Sequence, residues 1–270
     1  MTIRRVALVI AAVLFGFPLA ALIELSLHAE GEGLTTSTFA LAADPHFENY
    51  AEALRRMGDF PRLLLNTTII TAVSIVGQLF VCSFAGYAFA RLRFRGRNTL
   101  FLLVIATMLV PEHVASIPRF LLFRWLGLVD TWYPLLLPTI LGGAPFFIFL
   151  FRQAFLALGP ELAEAARIDG ASPFKAYWHV FLPLVRPMVG AVAIFTFLAT
   201  WNDFWAPLLY ILSPEKRTLT LALAGFSRTF STSIEHLMAA SAVVLAPCLL
   251  IYFLAQGVFL RGVRVAASKG

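Results

Sequence analysis

Residues 160–184 read PELAEAARIDGASPFKAYWHVFLPL. They form a charged, alanine-rich island in a chain otherwise made of apolar runs, and the side of the boundary on which the island lies decides the fold. Glu161 to Asp169 has the composition of a short helix, with alanines at 163, 165 and 166. Gly170 is a natural stop, because glycine accepts the left-handed conformation that ends helices. Ser172 is placed to cap a second short helix with Pro173 at its first position, and Leu182-Pro183 begins the next apolar run. The sequence thus predicts a stiff helix–glycine–helix bracket lying at a surface, with alanines that let another backbone approach and acids that suit Arg or Lys. A solvated amphipathic loop is the plain alternative, and it needs no such punctuation.

Composition says what surrounds the island. The 270 residues are 60% hydrophobic and 14% aromatic, with only 13% Asp, Glu, Lys and Arg. A soluble domain carries about one quarter charged residues, so lipid is the expected solvent. The +6 charge could suggest nucleic acid, but the Lys and Arg residues fall between apolar runs rather than clustering on a soluble face. Crossing the hydrocarbon takes about 20 apolar residues. Six runs qualify: Val6–Leu27, Thr67–Phe89, Thr99–His113, Tyr133–Phe155, Leu184–Trp205 and Met238–Phe259. The first follows Arg4 and Arg5 but is too long for a signal peptide and lacks a good cleavage site, so it reads as a retained anchor. The third is cut short, with Pro111 and Pro118 interrupting its continuation. The fourth holds Pro134, Pro138, Gly142, Gly143 and Pro145, which predicts either a broken helix or a simple kink. The fold class is all-α, a polytopic membrane protein with six transmembrane helices.

With the N-terminus in the cytoplasm, 13 of the 21 basic residues and three of the 15 acidic ones fall inside. That bias satisfies the positive-inside rule and makes both termini and the 160–184 island cytoplasmic.

On those residues a resemblance becomes specific. Glu164-Ala165-Ala166, three residues, Gly170, nine residues and Val180-Phe181-Leu182-Pro183 resemble the EAA loop of ABC-importer permeases, with Val180 in place of the usual isoleucine. AGYAFARLRFRGRN at 85–98, MLVPEHVASIP at 108–118 and FLATWNDFWAPL at 197–208 extend the likeness to most of the chain. The chain is similar to the maltose-type, carbohydrate-uptake permeases of the bacterial inner membrane. The resemblance implies the type I importer permease fold. It also implies a coupling role for Glu161, Glu164, Ala165, Ala166, Asp169, Gly170, Ala171, Leu182 and Pro183, seated in a groove of a cytoplasmic ATPase. The implied partners are a second permease subunit in a heterodimer, the ATPase dimer, an extracytoplasmic solute-binding protein and membrane lipid, with no nucleic acid. ATP and Mg would be bound by the ATPase, leaving this chain without a cofactor. The implied organisation is residues 1–60 as the N-terminal helix and first periplasmic loop, 61–258 as the permease domain with the coupling loop at 160–183, and 259–270 as a cytoplasmic tail. The tail from Arg261 departs from the family pattern.

Two polar lines run through the spans. Thr67, Thr71, Ser74 and Gln78 lie within about 60° of one another on a helix at 100° per residue. Thr196, Thr200 and Asp203 repeat the spacing, and Asn202 sits in a Trp-Asn-Asp stretch that matches a family motif. Hydroxyls and amides match sugar hydroxyls, so Gln78, Ser74, Thr196, Thr200, Asn202 and Asp203 are candidates for the solute path. Small polar residues also make ordinary helix–helix seams, a reading that suits Thr67 and Thr71. Glu24, Glu112 and Asp203 fall at outer helix ends, where interfacial carboxylates are ordinary.

No GxxxxGK[ST] phosphate loop occurs, the five histidines show no metal-ligand spacing, and no catalytic constellation is visible. Cys82 and Cys248 sit in apolar runs and read as core residues. An autonomous secondary transporter would carry mid-membrane carboxylates, and a membrane enzyme would need a polar constellation. Neither is seen. The expectation is a non-enzymatic permease forming half of a path for a sugar or similar solute.

Overall fold

The computed structural model describes residues 2–32, 44–229 and 233–267, and side chains within those ranges except at 2–4, 226–229 and 257–267. Part of the expected first periplasmic loop and the side chains of the tail after Phe259 lie outside what is described. Among the described residues every regular element is helical. They divide into two compact units, residues 1–66 with 217–250, and residues 67–216 with 251–270.

In the first unit, α1 (Thr2–Ser26) carries the span Arg5–Ser26, none of whose apolar window is buried within the chain. Its end is held by α2 (Glu48–Arg56), a nine-residue helix with Glu48 in its first turn and Arg55 and Arg56 in its last, the arrangement that suits the helix dipole. From α2, Asn49 donates to the carbonyls of Ser26 at 2.9 Å and His28 at 2.8 Å, satisfying groups that a helix end leaves free. Glu235, fully buried, accepts from Gly31 N at 3.1 Å.

The second unit is organised by α3 (Phe60–Arg91), a 32-residue helix that begins seven residues before the apolar run that predicted it. Next come α4 (Arg97–Ala106), continued by a 3₁₀ turn to Leu109, and α5 (Glu112–Trp125), bent by 99° from it. The bend falls at Val110, which is extended (ψ 115°) because the following Pro111 disfavours helix there. Pro118, expected to interrupt, sits inside α5 instead. Then α6 (Tyr133–Leu137) passes through a π turn at Pro138–Gly142 and Gly143 (φ 61°) into α7 (Pro145–Ala157). Of the two readings its prolines and glycines allowed, the fourth run follows the broken helix, although Tyr133–Ala157 still counts as one span. Two glycines of α3 permit close approach here. A Cβ on Gly77 would lie 2.7 Å from Ile140 Cγ1, and one on Gly86 would lie 2.6 Å from Phe151 Cβ and 2.9 Å from Arg152 N.

The bracket comprises α8 (Glu161–Ile168) and α9 (Pro173–Ala176), which runs through a π turn (Tyr177–Phe181) into α10 (Leu182–Leu184). Leu182-Pro183 therefore does not start the next span. The helix from Pro173 continues through it, and the 79° bend comes at Val185, before α11 (Arg186–Trp201). In a continuous helix residue 187 would donate to the carbonyl of 183, and Pro187 has no N–H to give. The chain continues through α12 (Trp205–Tyr210), α13 (Leu219–Thr229) and α14 (Ile234–Ala267). Among the described residues four helices are long and apolar enough to span a membrane, and up to six when each bent pair counts as one span.

Between α5 and α6, Asp130 has φ 60°, alone among the described non-glycine residues in being positive. Its carboxylate accepts from Leu212 N at 3.0 Å, Ser213 N at 2.9 Å, the Ser213 hydroxyl and Lys216 Nζ at 2.9 Å. This clasps the loop after α12. Asp tolerates the left-handed region because its short side chain bonds locally.

Candidate functional site

The bracket is built by local rules that can be read bond by bond. Gly170, at φ 72°, donates to Arg167 O at 3.1 Å, and Ala171 N donates to Ala166 O at 2.9 Å. These are the paired bonds of a Schellman stop. Ser172 then accepts from Lys175 N at 3.3 Å, capping α9 with Pro173 at its first position. The two short helices are consequently held at a fixed angle without help from a partner. A Cβ at Gly170 would meet nothing within 4 Å, so its requirement is conformational rather than steric.

The bracket has two faces. Ala166, Ala176, Tyr177 and Phe181 belong to a buried cluster with Tyr87, Phe151 and Phe155. Leu182 and Ala171 pack against that cluster, and Pro183 is half-buried. On the other face Glu161, Glu164, Ala165 and Asp169 are exposed, together with Ile168 (86% exposed) and Phe174 (57%). Two large apolar side chains left out beside carboxylates make a surface able to enter a groove with an apolar floor and a basic rim.

The polar line on α3 is buried along its length, with Thr67, Thr71, Ser74 and Gln78 between 1% and 9% exposed. Its members differ in what they bond. Gln78 Oε1 accepts from Ala144 N at 3.0 Å and from the Cys82 thiol at 3.0 Å. Ala144 is where the interruption between α6 and α7 ends. The amide therefore satisfies a backbone N–H that the broken helix leaves without its usual carbonyl, as an interrupted span requires. Thr71 and Ser74 hydroxyls have no hydrogen-bond partner in the chain, and neither has Thr196 on α11, which is 3% exposed. Buried hydroxyls without partners are costly, and in helices they ordinarily turn back to the carbonyl four residues earlier.

Thr200 and Asp203 are half-buried and Asn202 is exposed. Asn202 Nδ2 donates to Leu198 O at 2.8 Å, and Asp203 Oδ1 accepts from Ala206 N at 3.2 Å, so both serve helix ends. Among the described residues Cys82 and Cys248 are buried and not joined in a disulfide, and no group of three or more His, Cys, Asp or Glu side chains is suited to a metal ion.

Sequence reading gave no site role to Ser83, Tyr87 and Arg91, which stand at i, i+4, i+8 along α3 and all reach toward the bracket. Tyr87 is 5% exposed, and its ring lies 5.6 Å from Phe155, 5.2 Å from Tyr177 and 5.4 Å from Phe181. The signal was a second polar series within an apolar span.

Residues 78–265 match the family model described as the binding-protein-dependent transport system inner membrane component. The chain is 34% identical over 257 residues to the arabinooligosaccharides transport system permease protein AraQ of Halalkalibacterium halodurans, covering 94% of this chain and 91% of that one. It is 30% identical over 270 residues to the diacetylchitobiose uptake system permease protein NgcG of Streptomyces coelicolor, covering 99% and 87%. Among solved structures, a bacterial ABC transporter involved in the import of the acidic polysaccharide alginate is similar over 95% of both chains, with a TM-score of 0.80 and 27% identity.

Proposed function

The chain belongs to the binding-protein-dependent transport system inner membrane components, and from that premise we propose what it carries and how it is driven. It is the permease subunit of an ATP-binding-cassette importer, not an enzyme, and it works with a second permease subunit, an ATPase and a solute-binding protein. The bracket is the seat of the ATPase. Its exposed face of Glu161, Glu164, Ala165 and Ile168 enters that partner, while Ala166 and Ala176 anchor it to the core. ATP and Mg belong to the ATPase. The bracket side and both termini face the cytoplasm, in line with the distribution of basic residues.

The solute is a neutral oligosaccharide. The observation that carries this reading is that the buried hydroxyls of the two polar lines, at Thr71, Ser74 and Thr196, have no hydrogen-bond partner in the chain, and that those lines contain no Lys or Arg. Such groups pair with sugar hydroxyls as the solute passes, whereas a uronate would need a basic partner. The names of the arabinooligosaccharide and diacetylchitobiose relatives agree with it. The test is uptake by the complete importer in proteoliposomes, offered a labelled neutral oligosaccharide and a uronate oligomer side by side. Neutral uptake is expected to dominate, and preference for the uronate would reject the assignment.

A further inference from the structure

The face of α3 turned away from the Thr71–Gln78 line carries a second polar series, and every member of it holds the bracket. Ser83, Tyr87 and Arg91 lie within about 80° of one another at 100° per residue. Ser83 Oγ is 2.7 Å from the Tyr177 hydroxyl, in the π turn that follows α9. Because the Ser83 proton goes to Leu79 O, Tyr177 is the donor in that pair. Tyr87 donates to Pro173 O, the first residue of α9, at 3.0 Å. Arg91 donates to Phe155 O and Leu158 O, on the chain leading into α8, and its guanidinium stands 4.8 Å over the Phe181 ring.

The three rungs therefore grip the way in, the middle and the way out of the bracket. Two of them do so in a dry setting, with Ser83 at 2%, Tyr87 at 5% and Tyr177 at 1% exposure, while Arg91 is half-buried. Apolar packing alone lets surfaces slide. Directional hydrogen bonds in a low dielectric fix register. Phenylalanine would fill the Tyr87 and Tyr177 sites equally well if packing were the whole requirement.

We propose that Ser83, Tyr87 and Arg91 are positioning residues that make α3 and the bracket one rigid lever. A displacement of the bracket then reaches the Thr71–Gln78 face, about 20 Å farther along the same helix at 1.5 Å per residue, instead of being absorbed at the bend at Val185. The inference rests on the bracket being the seat of the ATPase.

The test uses the complete importer in proteoliposomes, with ATP hydrolysed per solute imported as the readout and both rates taken per assembled complex. Tyr87→Phe keeps the ring and removes one hydrogen bond, and it is expected to raise the ratio about 5-fold. Arg91→Met raises it further, and Arg91→Lys, which restores donors, recovers part of the loss. A packing role would reverse that order, since methionine packs better than lysine. Co-purification of the ATPase is expected to stay at the wild-type level, because the exposed face of the bracket is untouched. Gly170→Leu runs in parallel. If it uncouples while Tyr87→Phe and Arg91→Met keep the wild-type ratio, the lever is overturned and the seat survives. If Gly170→Leu itself stays coupled, the seat assignment falls and the lever falls with it. Tyr87→Phe alone decides if the Arg91 variants fail to assemble.

Discussion

At the scale of single residues, Gln78 and Ser74 look alike in the sequence and differ in the structure. Gln78 bonds the backbone of an interrupted helix, so Gln78→Leu should leave Ala144 N–H unsatisfied and cost about 1–3 kcal/mol, visible as a lower melting temperature of the complex. Gln78→Glu keeps the acceptor and should lose less. Uptake per assembled complex then tells whether Gln78 also touches solute. Ser74→Ala and Thr196→Val remove hydroxyls that have no partner in the chain. Stability should hold or rise while specific uptake falls, about 5-fold for one lost hydrogen bond; unchanged uptake in both would remove these residues from the path. Asp130 supplies a pH-dependent prediction. Hydrogen bonds from the Ser213 side chain and backbone, then from Lys216, hold its carboxyl well below the usual carboxylate range. A depressed value stabilises above the ordinary aspartate pKa of about 3.9 and ceases to as pH falls. The melting difference between the native chain and Asp130→Ala should be full at pH 7 and shrink steadily below about pH 4. A difference that does not vary with pH would refute the clasp.

At the scale of elements, α3 and its neighbours depend on two missing side chains. Gly86→Ala would place a methyl group against Phe151 Cβ and Arg152 N, a backbone atom that cannot swing aside. It should cost about 1–3 kcal/mol as overpacking, read as loss of assembled complex, while Gly16→Ala, with nothing within 4 Å, should be neutral or better. Gly170→Leu belongs with these. Its strain is only about 1 kcal/mol and its space is open, so the complex should assemble but lose solute import per ATP. The spans were legible because apolar length is written directly in composition, and the Schellman stop because Gly170 and Ser172-Pro173 are strong local signals. The bend at Val185 was not, because its cause is the pair Pro183 and Pro187 acting across one turn, and Leu182-Pro183 drew the reading to the wrong proline. The role of Gln78 was hidden for a different reason. Its partner is a backbone group 66 residues away, and no periodicity reports which helix end an amide will meet.

At the scale of the whole molecule, the positive-inside distribution should appear as sidedness. In sealed membranes a cysteine at Asp59 should react with an impermeant reagent from outside and one at Ser172 only after the membrane is opened; the opposite pattern would invert the assembly. The two native thiols are buried and should stay silent. One of them is more than silent. The Cys82 S–H donates to the same Gln78 oxygen that caps the interruption, and the thiol stretching vibration absorbs where almost no other protein group does. Any step of the cycle that draws α3 away from the α6–α7 interruption takes Ala144 N–H from that oxygen and leaves the thiol, four residues along the same helix, as its donor, which moves the band, with Cys248→Ala isolating the signal. The protein therefore carries an infrared gauge of the contact between α3 and that interruption, requiring no label.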